Sequence, residues 1–355
     1  MKFFSPLSRP LGTIAGIAAA AALANSLAQQ QRPGGGAGPP QLRKHTANST
    51  SPLRPVRANQ SPPAKSEASF EEQGRGLAIK ANGIPDHRVG LFPNRGNPNP
   101  ISEQGYDIVI PGDPKPAPQV TSMRGPFGIA LNGVVFDPGA AEFWQGDPSL
   151  GWTYEALGGA VALGIDENHA HVQPTGAYHY HGLPTLYLKE RGVISDRHSP
   201  QIGWAADGYP IYALYGFRDP KNAGSGVAQL KSSYRLKSGA RPGSPDGPSG
   251  RHDGTFVQDY EYVEGLGDLD ECNGRFGVTP EFPEGTYAYF LTEDWPVIPR
   301  LHRGTPVSFR EEMRGGRRPP TGRDGGPPPG RGGPPRGPGG DGPSPFPPPP
   351  PPPGR

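Results

Sequence analysis

Asn168-His169-Ala170-His171-Val172-Gln173-Pro174-Thr175-Gly176-Ala177-Tyr178-His179-Tyr180-His181-Gly182 holds four of the nine histidines of this chain, as two His-x-His pairs around a Pro-Thr-Gly turn signal. Side chains alternate faces along a strand, so each pair aims both imidazoles at one side. Pro174-Thr175-Gly176 reads as a three-residue hairpin loop, with Gly176 free to take the left-handed conformation that closes it. Centring the hairpin on Thr175 sets His171 opposite His179 and His169 opposite His181. Directly opposed side chains have Cβ atoms about 4.5–5.5 Å apart, close enough for one metal ion to reach both imidazoles. The pleat sends Tyr178 and Tyr180 to the opposite face, into the core.

Four imidazoles crowded on one face repel when protonated and need hydrogen-bond partners when buried and neutral. A metal removes both problems, so His169, His171, His179 and His181 form the candidate ligand set. Imidazole suits several transition metals, and zinc or copper is the expected occupant of a site outside the cytoplasm. Three histidines with an open position would make a reactive centre; four with none would make a structural one.

The chain resembles the YHYH-domain family, which Tyr178-His179-Tyr180-His181 names. Further words of that resemblance are Gly128-Ile129-Ala130-Leu131-Asn132-Gly133 with Phe136-Asp137-Pro138, Asp207-Gly208-Tyr209-Pro210-Ile211-Tyr212, and Leu269-Asp270-Glu271-Cys272-Asn273-Gly274-Arg275-Phe276. The similarity runs from about Gly105 to Gly304. It implies a domain label and little mechanism, because the family is known by pattern. Members tend to carry Gly-His before the YHYH word, where this chain has Ala170-His171. The resemblance therefore speaks for His171 and less for His169.

Outside the hairpin, short apolar runs are bounded by Gly and Pro. Tyr106 to Ile110, Gly128 to Phe136 with a turn at Asn132-Gly133, Gly159 to Ile165, Ile211 to Leu214, Tyr260 to Val263 and Tyr287 to Thr292 read as strands. Helical periodicity is scarce, with Val227 to Lys237 the best segment and Leu183 to Arg191 a weaker one. The expected fold is mainly β with short helices and long loops, a single domain over residues 66–312, about 250 residues long.

The ends differ from this middle. Lys2 and Arg9 precede an apolar run from Leu11 to Ala24, the pattern of a signal peptide over residues 1–28, cleaved after Ala28. A linker rich in Gly, Pro, Ser and Gln follows over 29–65. Residues 313–355 form a tail rich in Pro, Gly and Arg that buries too little apolar surface to order. These ends point to an extracytoplasmic protein, secreted or periplasmic, with no transmembrane segment after cleavage.

A net charge of +2 implies no strongly charged partner, and the absence of basic clusters in the folded part argues against nucleic acid. Cys272, the single cysteine, is expected to be a small buried hydrophobe. Asp207 is the candidate carboxylate: a ligand, an orienting group for a histidine, a general base, or a plain turn residue. Asp268, Asp270, Glu271 and Asn273 read as a solvated loop, and Asp137-Pro138 as turn chemistry. His198 and His252 are loop histidines near Asp196 and Asp253. Two functions follow from this reading. One is a metalloenzyme, hydrolytic with zinc or redox-active with copper. The other is a non-catalytic envelope or matrix module with a structural histidine cluster, binding a small molecule, a glycan or an envelope component.

Overall fold

The computed structural model describes residues 55–310; the signal and tail expectations lie outside them. The described chain is mainly β. Its strands in chain order are β1 (Ala68–Gln73), β2 (Gly76–Ala81), β3 (Tyr106–Pro111), β4 (Thr121–Ser122), β5 (Gly128–Ala130), β6 (Val135–Phe136), β7 (Ala170–Val172) and β8 (Tyr178–Tyr180). The helix α1 (Thr185–Glu190) follows. Then come β9 (Gly203–Ala205), β10 (Pro210–Ala213), β11 (Tyr215–Phe217), β12 (Val227–Gln229), β13 (Tyr234–Leu236), β14 (Tyr260–Tyr262), β15 (Gly274–Gly277), β16 (Thr286–Leu291) and β17 (Leu301–His302). Among the described residues no helix is long and apolar enough to cross a membrane.

One mixed sheet of eight strands, ordered β15-β16-β10-β9-β5-β6-β8-β7, carries the fold. A meander, β1-β2-β3, forms a second sheet. Along β3, Tyr106, Ile108 and Ile110 are buried while Asp107 and Val109 face solvent, the alternation of a strand wet on one side. The buried side of the meander packs on Ile129 and Val135 of the large sheet and on Ala206, just after β9. The opposite face of the large sheet carries Phe136, Ala170, Val172, Tyr178 and Tyr180, packed with Tyr187 and Leu188 of α1. β16, rich in Tyr and Phe, is buried along nearly its whole length. Each fully buried large apolar side chain contributes about 1.5–3 kcal/mol, so this two-faced burial is the main stabilising term.

Several expectations are corrected. Val227 to Lys237 is two strands rather than a helix. Tyr234 pairs with Tyr262 and Phe217 with Val227, so cross-strand partners decide the conformation over local periodicity. Gly159 to Ile165 is buried but forms no strand. Gly159 and Gly164 take positive φ, which breaks the extended run, and the segment packs as an irregular apolar loop with Tyr154 and Phe256. Leu183 to Arg191 does contain α1. Residues 55–65, read as linker, are paired to the domain: Val56 N–H donates to the Ile165 carbonyl at 2.9 Å, and Gln60 exchanges two backbone bonds with Val89. The strands β1, β2, β4, β9, β11, β15 and β17 were not anticipated from the sequence.

Candidate metal centre

The hairpin forms in the expected register. His171 pairs with His179, Val172 with Tyr178 and Ala170 with Tyr180. Gln173 N–H donates to the Ala177 carbonyl at 2.9 Å, and Gly176 closes the loop at φ +86°. β7 is the outer strand of the sheet. The side-chain amides of Asn97 and Asn99 both donate to the Val172 carbonyl, occupying part of that edge. β8 is inner: β6 runs parallel to it, with Val135 beside His179 and Phe136 beside Tyr180.

His171, His179 and His181 converge on the face shared with Val135. One ring nitrogen from each lies within 4.8 Å of the others. The ring centroids form a nearly equilateral triangle with sides of 4.6, 4.6 and 4.7 Å. His179 and His181 are each 2 % exposed, and His171 is half-buried.

The hydrogen bonds set the tautomers. His171 Nδ1 lies 3.0 Å from the Leu163 carbonyl, and His179 Nδ1 lies 3.2 Å from the Ala177 carbonyl. A carbonyl only accepts, so each Nδ1 carries the proton and each Nε2 presents a lone pair. Yet His179 Nε2 and His181 Nε2 are 3.0 Å apart. A proton on His181 Nε2 would bridge them, but it leaves His181 Nδ1 as a buried acceptor with no hydrogen-bond donor. A proton on His181 Nδ1, toward the Pro138 carbonyl that favours its charged form, leaves two lone pairs opposed at Nε2. Neither arrangement satisfies every nitrogen. A cation between the three Nε2 atoms does. Donors at about 2.0–2.1 Å from a tetrahedral ion stand roughly 3.3 Å apart, near the 3.0 Å between His179 Nε2 and His181 Nε2. The residues present thus fit a transition metal.

Electrostatics point the same way. Burial, helped by His179, lowers the His171 pKa to about 3, against the Leu163 bond and Asp137. Burial lowers His179 to about 4, against the Ala177 bond. Burial, then His171, His179 and Arg300, hold His181 well below its usual value. The three rings are therefore neutral bases at physiological pH, the form that binds metal.

His169 is not brought into this cluster. Its backbone stands where the register expects it, accepting from His181 N–H at 2.7 Å. However, its φ is +51°, and its Nδ1 turns to the Leu183 carbonyl at 2.7 Å. The cause is the preceding turn. Asp166 Oδ1 accepts from Asn168 N–H at 2.9 Å, and His169 N–H donates to the Asp166 carbonyl, so the strand begins only at Ala170.

Asp207 is not brought there either. Its Oδ2 accepts from Tyr289 O–H at 2.5 Å and from Gly304 N–H at 2.8 Å, which ties β16 to the end of the domain. Asp270, read as part of a solvated loop, is a turn anchor: it accepts from Cys272 N–H, Gly274 N–H and Tyr287 O–H. Asn273 there is fully buried at φ +54°. Cys272 is buried in the core, and burial pushes its thiol pKa up, so it behaves as a small hydrophobe. His198 lines a separate cavity of about 530 Å³ with Arg191, Arg197, Phe217 and Glu281. His252 sits in the loop of the buried Arg241–Asp259 pair, 2.6 Å long.

Two features of the centre escaped the sequence reading. Asp137, taken for turn chemistry, continues β6 alongside His181, its N–H donating to the Tyr180 carbonyl at 2.9 Å. Arg300, paired with the buried Glu155 at 3.0 Å, bears electrostatically on both His181 and Asp137. The Phe136-Asp137-Pro138 word pointed to the first. Arg300 carried no local signal.

Comparison with known proteins gives one match. The family described as YHYH protein matches residues 107–304, more than half of the chain, and the chain belongs to that family. Searches of curated proteins and of solved structures found no match.

Proposed function

We propose that this YHYH-family chain is an exported protein that binds one transition-metal ion, zinc or copper, through His171, His179 and His181. The 3.0 Å contact between His179 Nε2 and His181 Nε2, which no placement of protons makes without leaving a His181 nitrogen unsatisfied, carries the reading. Support comes from carbonyls that hold His171 and His179 in the metal-binding tautomer, the arrangement in which the nitrogen remote from the metal is fixed by a hydrogen bond. Export rests on the basic start and short apolar run before Gln29.

Three histidines from the protein leave an ion one side free, and His171, the half-buried member, marks where the centre meets solvent. That favours a metal that meets a small molecule over one sealed in the core. Elemental analysis of the purified protein tests the proposal, together with titration of the chelator-stripped protein by zinc and copper(II). One ion per chain is expected. A stripped protein that takes up neither metal above the level of a variant lacking all three histidines would refute it. Intact mass checks export: the secreted chain is expected to lack residues 1–28.

A further inference from the structure

The face that carries the triad carries two more polar side chains. β6 and β8 run parallel with Val135 beside His179, so Asp137 falls beside His181 on the same face. Across the hairpin, Gln173 is two residues beyond His171 and shares its face. Asp137 and Gln173 thus occupy opposite corners of the patch, with His179 between them. They nevertheless meet: Gln173 Nε2 donates to Asp137 Oδ2 at 3.3 Å. This contact links the two sides of the patch that flank His179.

Asp137 is only 9 % exposed; its hydrogen bonds are few, and Arg310, His171 and Arg300 bear on it through charge alone. One oxygen takes the long Gln173 bond, and the Gly139 N–H supplies a backbone bond. Glu142, also buried, has only backbone bonds, whereas four other buried carboxylates are firmly engaged. Asp166 holds Tyr178 and Gly90, Asp207 holds Tyr289 and Gly304, Asp259 holds Arg241, and Glu155 holds Arg300 and Trp295. A buried carboxylate with weak partners is costly unless something else claims it.

We infer that Asp137 is the fourth protein ligand of the centre, exchanging the Gln173 amide for the metal by side-chain rotation. The inference rests on the triad reading. Asp137 lies outside the 4.8 Å cluster as it stands, so binding requires the Gln173 contact to break. A carboxylate oxygen would then complete a His3Asp set, with Gln173 as the partner that the carboxylate gives up when metal binds. Four protein ligands is the count of a structural site. The carboxylate thereby closes the side that the triad leaves free, and a small molecule entering beside the half-buried His171 reaches the metal by displacing it.

Cobalt(II) titration of the chelator-stripped full chain tests this, because its visible absorption reports both affinity and ligand set. Asp137→Asn is expected to weaken cobalt binding at least about tenfold and to change the absorption band; loss of even an outer partner costs 10–100-fold. Gln173→Ala, which removes that partner, is expected not to weaken binding. Wild-type affinity and spectrum in Asp137→Asn would overturn the inference while leaving the triad intact. If that variant does not fold, Asp137→Glu decides: a changed band supports a direct ligand, and an unchanged band overturns it. Failure of the wild type itself to bind cobalt would instead sink the triad reading.

Discussion

The two faces of the β7–β8 hairpin are made by alternating residues of one short sequence, yet they solve the problem of buried polarity in opposite ways. On the core face, every hydroxyl is answered. Tyr178 O–H donates to Asp166 at 2.8 Å. Tyr180 O–H lies 2.7 Å from His87 Nε2 and accepts from the Asn132 amide at 2.9 Å. His87 Nδ1 faces the Arg88 carbonyl at 2.8 Å, so its Nε2 is free to accept the Tyr180 proton. On the other face, the three imidazoles crowd together, and no placement of protons satisfies every nitrogen. A satisfied network makes the fold specific; an unsatisfied one calls for an explanation, which the proposed metal supplies. The tyrosines of the motif therefore build the hairpin, and the histidines use it.

The largest expected effect breaks the histidine side. His171→Ala, His179→Ala or His181→Ala is expected to abolish nearly all metal uptake, because two imidazoles cannot complete the shell. Equal metal content in wild type and the three variants, by elemental analysis, would remove the functional half of the contrast.

The tyrosine side should respond in stability alone. Tyr180→Phe strips a partner from His87 and Asn132, and Tyr178→Phe strips one from Asp166. Each is expected to cost about 1–3 kcal/mol in denaturant unfolding, the scale of a buried polar group left unpaired. Metal content per folded chain should not change, and a loss of metal in either variant would merge the two faces into one site.

Acid sharpens the difference between metal-free and loaded protein. The His171 and His179 pKa values are depressed in the folded state, to about 3 and about 4. Unfolded histidine titrates near 6.5. Between those values the unfolded chain binds more protons, so metal-free stability is complete above about pH 6.5 and falls as pH drops toward 4. Metal on the folded protein, by contrast, meets no competing protons at pH 5.5 on these rings. Retention of metal there, read by rapid desalting and elemental analysis, is the expected outcome. Release with a midpoint near 6.5 would mean that the rings are solvated.

The smallest effect belongs to His169. With Nδ1 on the Leu183 carbonyl, His169→Ala is expected to leave metal content unchanged and to shift affinity little. A loss equal to that of the triad variants would mean that the left-handed turn opens when metal binds.

The period-2 pattern and the Pro174-Thr175-Gly176 turn were enough to set the hairpin, its register and the sorting of tyrosine from histidine. All three depend on contacts within a dozen residues, where loop closure leaves few alternatives. The β-rich class was legible for the same reason, from breakers and short aromatic runs. The limits of local reading show at particular residues. Val227 to Lys237 has an ambiguous period that β11 and β14 resolve from outside. His169 alternates correctly but is turned out by an Asp166 turn that also serves Tyr178 and Gly90. Asp207 sits in a motif word, yet its partners Tyr289 and Gly304 come from the far end of the domain.

The sequence by itself determined that three or four imidazoles share one face of a hairpin, because strand geometry is local and repeats every two residues. Which carboxylate accompanies them was decided only by the parallel pairing of β6 with β8. That pairing joins segments more than forty residues apart, and its register is set by packing on both sheet faces rather than by any turn. The same packing excludes water from His179 and His181. It thereby makes them neutral, poorly satisfied bases, a property of the assembled interior that no pattern of residues states.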